Sequence, residues 1–295
     1  MITARSLVKD YDGFMALKGI SFELQEGEIF GVIGHNGAGK TTLLKMMAGL
    51  VKPTSGELFI NGVDVVRDPG TLKAGLGYLP EESRVYETMT VPDYLRFFGE
   101  LYGLDLQTIR SRQETLLSAL SLEAEGKKIG ELSKGMRRKV AIARSLIHDP
   151  DLLIYDEPTS GLDPMTSRYI SDYLRSLRDQ QKTIVMSAHN LFQVEALCDH
   201  VMILRRGEIV AFGTMHELRE QFGSLTYQLY FSLPLGIVPD RAWEAVVEGA
   251  GYTASAADLS SMNRQTGAIT AAGGRVERIE SHYPSLEEML VKIGK

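Results

Sequence analysis

Gly34-His35-Asn36-Gly37-Ala38-Gly39-Lys40-Thr41-Thr42 decides how this chain is read. The stretch fits G-x-x-x-x-G-K-[ST], a loop that cradles phosphate. Before it runs the apolar, β-prone segment Glu28-Ile29-Phe30-Gly31-Val32-Ile33; after it runs Leu43-Leu44-Lys45-Met46-Met47-Ala48, rich in helix formers. Strand, glycine turn and helix form the context that the motif requires. Glycine bends tightly and carries no side chain, so backbone N–H groups can converge on an oxyanion. The helix that starts there adds the positive end of its dipole. Lys40 can reach the β- and γ-phosphates, and the Thr41 hydroxyl can ligate Mg²⁺.

Asp151-Leu152-Leu153-Ile154-Tyr155-Asp156-Glu157 reads as a buried strand ending in two acids. In open α/β sheets ligands sit beyond the carboxyl ends of the strands, so both acids emerge on the side of the phosphate loop. Successive strand residues face opposite ways, so the two need different roles. Asp156 suits the Mg²⁺ shell, directly or through water. Glu157 suits a general base for an attacking water, and a solvated strand end is the plain alternative. The next strand, Lys182 to Ser187, is followed by His189 at the same edge. His189 could bind a γ-phosphate or orient the carboxylate.

Leu132-Ser133-Lys134-Gly135-Met136-Arg137-Arg138-Lys139 opens a further helix. A capped helix start with a hydroxyl, a glycine and three nearby cations reads as a second anion site. Such a site is surplus in a monomer and makes sense facing the γ-phosphate held by another copy. An ordinary capped basic helix is the alternative.

Composition bounds the remaining choices. The 295 residues suit one large domain or two ordinary ones, and 44% hydrophobic content supports a substantial core. The net charge of −6 argues against a chain held by nucleic-acid phosphates, and no nucleic-acid partner is expected. Cys198 stands alone, which excludes an internal disulfide and a Cys-based zinc site. No run approaches the roughly 20 apolar residues of a membrane span, and the stretch Met1 to Asp10 lacks a signal-peptide core. The protein is therefore expected to be soluble, with any membrane role carried by a partner.

Residues 1–27 alternate apolar and polar and predict antiparallel strands joined through Asp12-Gly13, with Tyr11 in the turn. That tyrosine could stack on a purine or be an ordinary exposed turn residue. Gly75 to Pro80 predicts a short strand, followed at once by Glu81-Glu82. Residues from about 85 to 150 carry three helical patterns and form an insert in an α/β chain. Thr214-Met215-His216-Glu217 and Ser285-Leu286-Glu287-Glu288 fit capping boxes. Past residue 222 we expect a strand at 225–231, a helix over 241–250 and weak strand signals near 268–270. This last part reads as a small α+β appendage for contact or regulation.

The order of these motifs resembles that of the ATP-binding cassette (ABC) ATPases over roughly residues 1–220. The resemblance rests on the P-loop, Leu132 to Met136 as signature loop, Leu152 to Glu157 as Walker B, Ser160-Gly161-Leu162-Asp163 as D-loop and His189 as switch histidine. It implies an α/β P-loop NTPase core over 1–221 and an appendage over 222–295. Within the core it implies a mixed sheet, an N-terminal antiparallel β-subdomain and an inserted α-helical subdomain. It further implies ATP and Mg²⁺ as ligands, with Tyr11 stacking on adenine. Gly34, His35, Asn36, Gly37, Ala38, Gly39, Lys40, Thr41 and Thr42 would bind the nucleotide, and Thr41, Asp156 and Glu81 the metal. Glu157, His189 and Lys40 would be catalytic, with Ser133 and Gly135 completing the site of a head-to-tail homodimer partner. Three positions depart from the family pattern: Glu81 replaces a usual glutamine, and Lys134 and Met136 replace signature residues. Similar substitutions occur in bacterial drug- and antibiotic-exporter ATPases.

The reading is therefore an ATP-hydrolysing subunit of a transporter, an exporter, serving a separate membrane permease. It would lie in the cytoplasm against the inner face of the membrane. The insert and the loop after Glu81 are the expected docking surface. A non-transport ABC ATPase acting on ribosomes or nucleic acid is one alternative; an ATP-binding regulatory module with little turnover is another.

Overall fold

A computed structural model describes every residue except 124–125, 224, 235, 238–242, 246–250 and 295. Two compact units form, Met1–Met215 and His216–Lys295.

In the first unit, β1 (Ile2–Tyr11) and β2 (Phe14–Leu24) make an antiparallel hairpin. Then come β3 (Ile29–Ile33), α1 (Lys40–Met47), β4 (Ser55–Ile60), β5 (Val63–Asp64), α2 (Pro69–Ala74) and β6 (Leu76–Leu79). The helical insert follows as α3 (Val91–Leu101), α4 (Leu106–Ala119) and α5 (Lys134–Leu146). The sheet resumes with β7 (Leu152–Asp156), α6 (Pro164–Asp179), β8 (Thr183–Ser187), α7 (Leu191–Leu197), β9 (His200–Arg205) and β10 (Glu208–Thr214). The fold is an α/β P-loop NTPase.

Two sheets divide the work. The antiparallel sheet runs β2-β1-β4-β5, and the main sheet runs β10-β9-β3-β8-β7-β6. All residues of β3, β7 and β8 are buried, because neighbours cover both faces of a parallel sheet. That is why they read as continuous apolar runs rather than alternating ones. Helix α1 shares one core with both sheets: Leu43, Leu44, Met46 and Met47 pack with Leu7, Leu17, Phe30, Ile154 and Val185. Burying each such side chain contributes about 1.5–3 kcal/mol, so the loop preceding α1 stands on a rigid base.

The insert begins where Thr90 caps α3 through the Asp93 amide, with Pro92 in the first turn. Asp105 caps α4 by accepting from Gln107 and Thr108. Sequence periodicity did not show α2, which is short, carries Gly70 and buries only Leu72.

The chain passes through α8 (Met215–Phe222) into the second unit. There β11 (Thr226–Ser232), β12 (Glu244–Ala245), β13 (Tyr252–Ala256), α9 (Leu259–Ala271), β14 (Arg275–His282) and α10 (Leu286–Gly294) follow. The strands form an antiparallel sheet ordered β12-β13-β11-β14. Its core comprises Leu229, Phe231, Ala254, Ala256 and Ile269, with Trp243 edge-on to Phe231. The strand expected near 268–270 is instead part of α9. Its Ala, Ser, Thr and Gly residues prefer neither state strongly, and the Asp258 cap with burial of Ile269 selects helix. Most of the helix expected over 241–250 lies outside the described residues. At Ser285 the capping box forms: Ser285 N donates to Glu288 Oε2 at 2.8 Å, and Glu288 N to Ser285 Oγ at 3.2 Å.

Candidate active site

Strand register assembles this site. Val32 on β3 lies beside Ser187 on β8, Ser187 beside Asp156 on β7, and Tyr155 beside Leu79 on β6. The P-loop, Ser187, the acid pair and Glu81 therefore line up along one carboxyl edge of the sheet.

The loop itself needs its glycines. Gly34 has φ +154°, and a Cβ there would lie 2.3 Å from the Leu204 carbonyl oxygen; Gly39 has φ +110°, and a Cβ would lie 2.6 Å from that of Ala16. Helices α2 to α7 each start on a side-chain cap, from Asp68 through Asn190. Helix α1 starts on Gly39 with no side-chain cap, so its first amides remain for an anion.

Lys40 is only 6% exposed, and its Nζ donates to the Gly34 carbonyl at 2.7 Å and that of His35 at 3.4 Å. Burial lowers its pKa, while the carboxylates of Glu157, Asp156 and Glu81 pull it the other way. A cavity of about 400 Å³ opens above, lined by Phe14, Ala16, Asn36 to Thr42, Glu81, Glu157 and His189. That size lies in the range of small-ligand sites.

Asp156 is buried beneath the cavity, and its Oδ1 accepts from Ser187 Oγ at 2.5 Å. The same hydroxyl accepts from the Glu157 amide at 3.0 Å. Glu157 is 7% exposed and sits at φ +48°, a backbone region that L residues adopt only when held there. Its Oε1 lies 2.6 Å from His189 Nε2. Ser187→Ala would leave a buried amide and a carboxylate oxygen each short of a partner. The variant is expected to lose about 1–3 kcal/mol of stability. Denaturant unfolding checks this, and an unchanged midpoint would show that the hydroxyl holds nothing in place.

Tyr11 ends β1 rather than lying in the turn, because it pairs with Phe14 across the hairpin. Its ring lies 4.7 Å from Lys9 Nζ, and Tyr11 is not a lining residue of the cavity. Phe14, 62% exposed, does line it and was missed. An exposed aromatic opening a strand was the available signal.

Ser133 and Gly135 lie at the start of α5, away from this cavity. Ser133 Oγ accepts from the Met136 amide at 3.2 Å, and Gly135 packs on Thr166. The three cations after them do not gather at one anion site. An α-helix turns about 100° per residue, so consecutive side chains diverge. Arg137 donates to the Leu132 carbonyl and pairs with Glu87 at 3.1 Å. Arg138 turns inward onto carbonyls, and Lys139 Nζ lies 4.1 Å from the centre of the Tyr169 ring.

This geometry has known relatives. A family model described as ABC transporter matches residues 17–160. The chain is 40% identical over 226 residues to the ABC transporter ATP-binding protein NatA of Bacillus subtilis (strain 168), covering 75% of this chain and 92% of that protein. The chain belongs to the ABC transporter family. Within that family it is also 37% identical to the linearmycin resistance ATP-binding protein LnrL of Bacillus subtilis (strain 168), over 77% of this chain and 73% of that one. A solved ATP-binding subunit of an ABC transporter superposes with TM-score 0.70 at 33% identity, covering 75% of this chain and 93% of that one. The dimeric structure of a bacterial ABC transporter cassette gives 0.68 at 25% identity, covering 73% and 99%. This ABC chain is accordingly a nucleotide-binding ATPase subunit of a transporter. The relatives are transporter ATP-binding proteins, which does not favour a ribosomal or nucleic-acid role. No helix among its described residues is long and apolar enough to cross a membrane.

Proposed function

We propose that two copies of this chain close head-to-tail on two ATP molecules and that hydrolysis reopens them. A separate membrane permease would turn that motion into export, with this subunit on the cytoplasmic face. The observation that carries the catalytic part is the buried Glu157 carboxylate, 2.6 Å from His189 and lining the same cavity as Lys40.

In this reading the α1 amides and Lys40 bind the β- and γ-phosphates. Glu157 accepts a proton from water as its oxygen attacks the γ-phosphorus, and ADP leaves as the other product. His189 holds the carboxylate in place. The Thr41 hydroxyl and the carboxylates of Asp156 and Glu81 are hard oxygen donors, which fit Mg²⁺ in a shell shared with phosphate and water. The ion would neutralise charge on the transferring group. An aromatic of the first hairpin, Tyr11 with its neighbour Phe14, would stack on adenine. The D-loop and the start of α5, with Ser133 and Gly135, would contribute from the opposite copy. The names of NatA and LnrL support a transporter role, and that of LnrL supports export. The insert, residues 85–150, would meet the permease, and residues 222–295 would serve contact or regulation.

The test is oligomeric state. With ATP and EDTA, which blocks turnover, the purified chain is expected to elute as a dimer; without nucleotide it is expected to elute as a monomer. A chain that stays monomeric at saturating Mg-ATP while hydrolysing it at full rate would sink the two-copy mechanism. Co-purification of a multi-span membrane protein from native membranes tests the permease.

A further inference from the structure

Arg138 is 6% exposed, yet it carries a charge that no part of the proposed mechanism uses. Its guanidinium donates to five carbonyls and one hydroxyl, drawn from two separate loops. Nη1 reaches the Pro80 carbonyl at 2.8 Å, the Glu81 carbonyl at 2.9 Å and Ser83 Oγ at 2.6 Å. Nη2 reaches the Asp156 carbonyl at 3.0 Å and the Glu157 carbonyl at 2.6 Å. Nε reaches the Pro158 carbonyl at 2.9 Å.

Removing a charge from water costs several kcal/mol, and hydrophobic packing would fill the same space more cheaply. What the planar fork supplies instead is geometry: fixed donors that hold several acceptors at set angles. Both held loops carry carboxylates that line the nucleotide cavity, Glu81 on one and Glu157 on the other. The Glu157 elbow is the strained point of the site, at φ +48°. Ser187 holds its amide and Arg138 holds its carbonyl, so the elbow is fixed from both sides. Arg138 itself rides on α5, the helix that Ser133 caps.

We propose that Arg138 is a positioning residue that ties the Glu157 elbow to the Pro80–Ser83 loop through α5, so that neither carboxylate moves independently of the other. This rests on reading Glu157 as the general base. Lys40 and the P-loop take no part in the link, so it governs turnover and not the binding of metal-free ATP.

The experiment uses the full chain, with steady-state ATP hydrolysis beside calorimetric ATP binding. Arg138→Gln is expected to lower kcat about tenfold or more while the Kd for ATP measured with EDTA stays within about twofold, with Arg138→Lys intermediate. Ser83→Ala removes one acceptor at the far end of the link. It is expected to lower kcat about two- to fivefold in the native chain and to add nothing in the Arg138→Gln background, because the two act in one network. An Arg138→Gln protein that keeps native kcat, or a Ser83→Ala effect that multiplies fully with it, overturns the link. Should Arg138→Gln fail to fold, Ser83→Ala decides alone, and an unchanged kcat refutes it. Glu157→Gln is assayed alongside. If that variant turns over normally, the base assignment fails; if it is dead and Arg138→Gln is unimpaired, only the link fails.

Discussion

Glu157→Gln is expected to lower the turnover number for ATP by about 10²–10⁴-fold with little change in nucleotide affinity. The substitution keeps the shape of the side chain and removes its ability to accept a proton. The elbow that presents it is built from backbone contacts to Ser187 and Arg138, which the amide leaves intact. His189 Nε2 can donate to the amide oxygen as it does to the carboxylate, so the pair survives in weaker form. Removing one negative charge beside Lys40 eases the approach of a triphosphate, so binding does not suffer. A variant bound to ATP and unable to cleave it should accumulate as the closed dimer even with Mg²⁺ present. Single-turnover hydrolysis at the native rate would remove Glu157 from the chemistry.

Lys40→Met is expected to cost binding where Glu157→Gln costs turnover. The ammonium is buried on the Gly34 and His35 carbonyls and feels the charge of the Glu157, Asp156 and Glu81 carboxylates. Truncating a buried, hydrogen-bonded charge costs about 2–5 kcal/mol, a factor of about 30 to several thousand in Kd. The loss is compounded because Asp156, Glu157 and Glu81 then repel the incoming phosphates unopposed. Methionine fills much of the same volume, so the core around α1 should persist and the folded fraction should not fall. Calorimetric titration with ATP measures the effect; a Kd within twofold of the native value would mean that the backbone amides alone carry phosphate binding.

The local chemistry of the site is legible in the sequence alone. Gly34 to Thr42 must turn tightly between an apolar strand and a helix, and Asp156-Glu157 must emerge at the end of a buried strand. Those statements depend on neighbours within a few residues, and periodicity records them. The hairpin around Asp12-Gly13, the three-helix insert and the cap at Ser133 were readable for the same reason. In the second unit the Ser285 capping box was readable, whereas α9 was not. Its sequence is nearly neutral between helix and strand, and burial of Ile269 against a sheet elsewhere in the chain decides it.

By itself, then, the sequence determined the P-loop and the acid pair, because each is a contiguous pattern with one physical solution, and the family, because such patterns follow one another in a set order. The tertiary structure alone decided which side chains stand behind those motifs. Ser187 reaches Asp156 because β7 and β8 pair in one register; a shift of one residue would turn its hydroxyl to the opposite face. Arg138 is buried while Arg137 and Lys139 are not, because the rotation of α5 against the Pro80–Ser83 loop and the Glu157 elbow turns one side chain of three inward. Contacts between residues 18 to 58 positions apart follow from packing, and no local pattern in the chain encodes them.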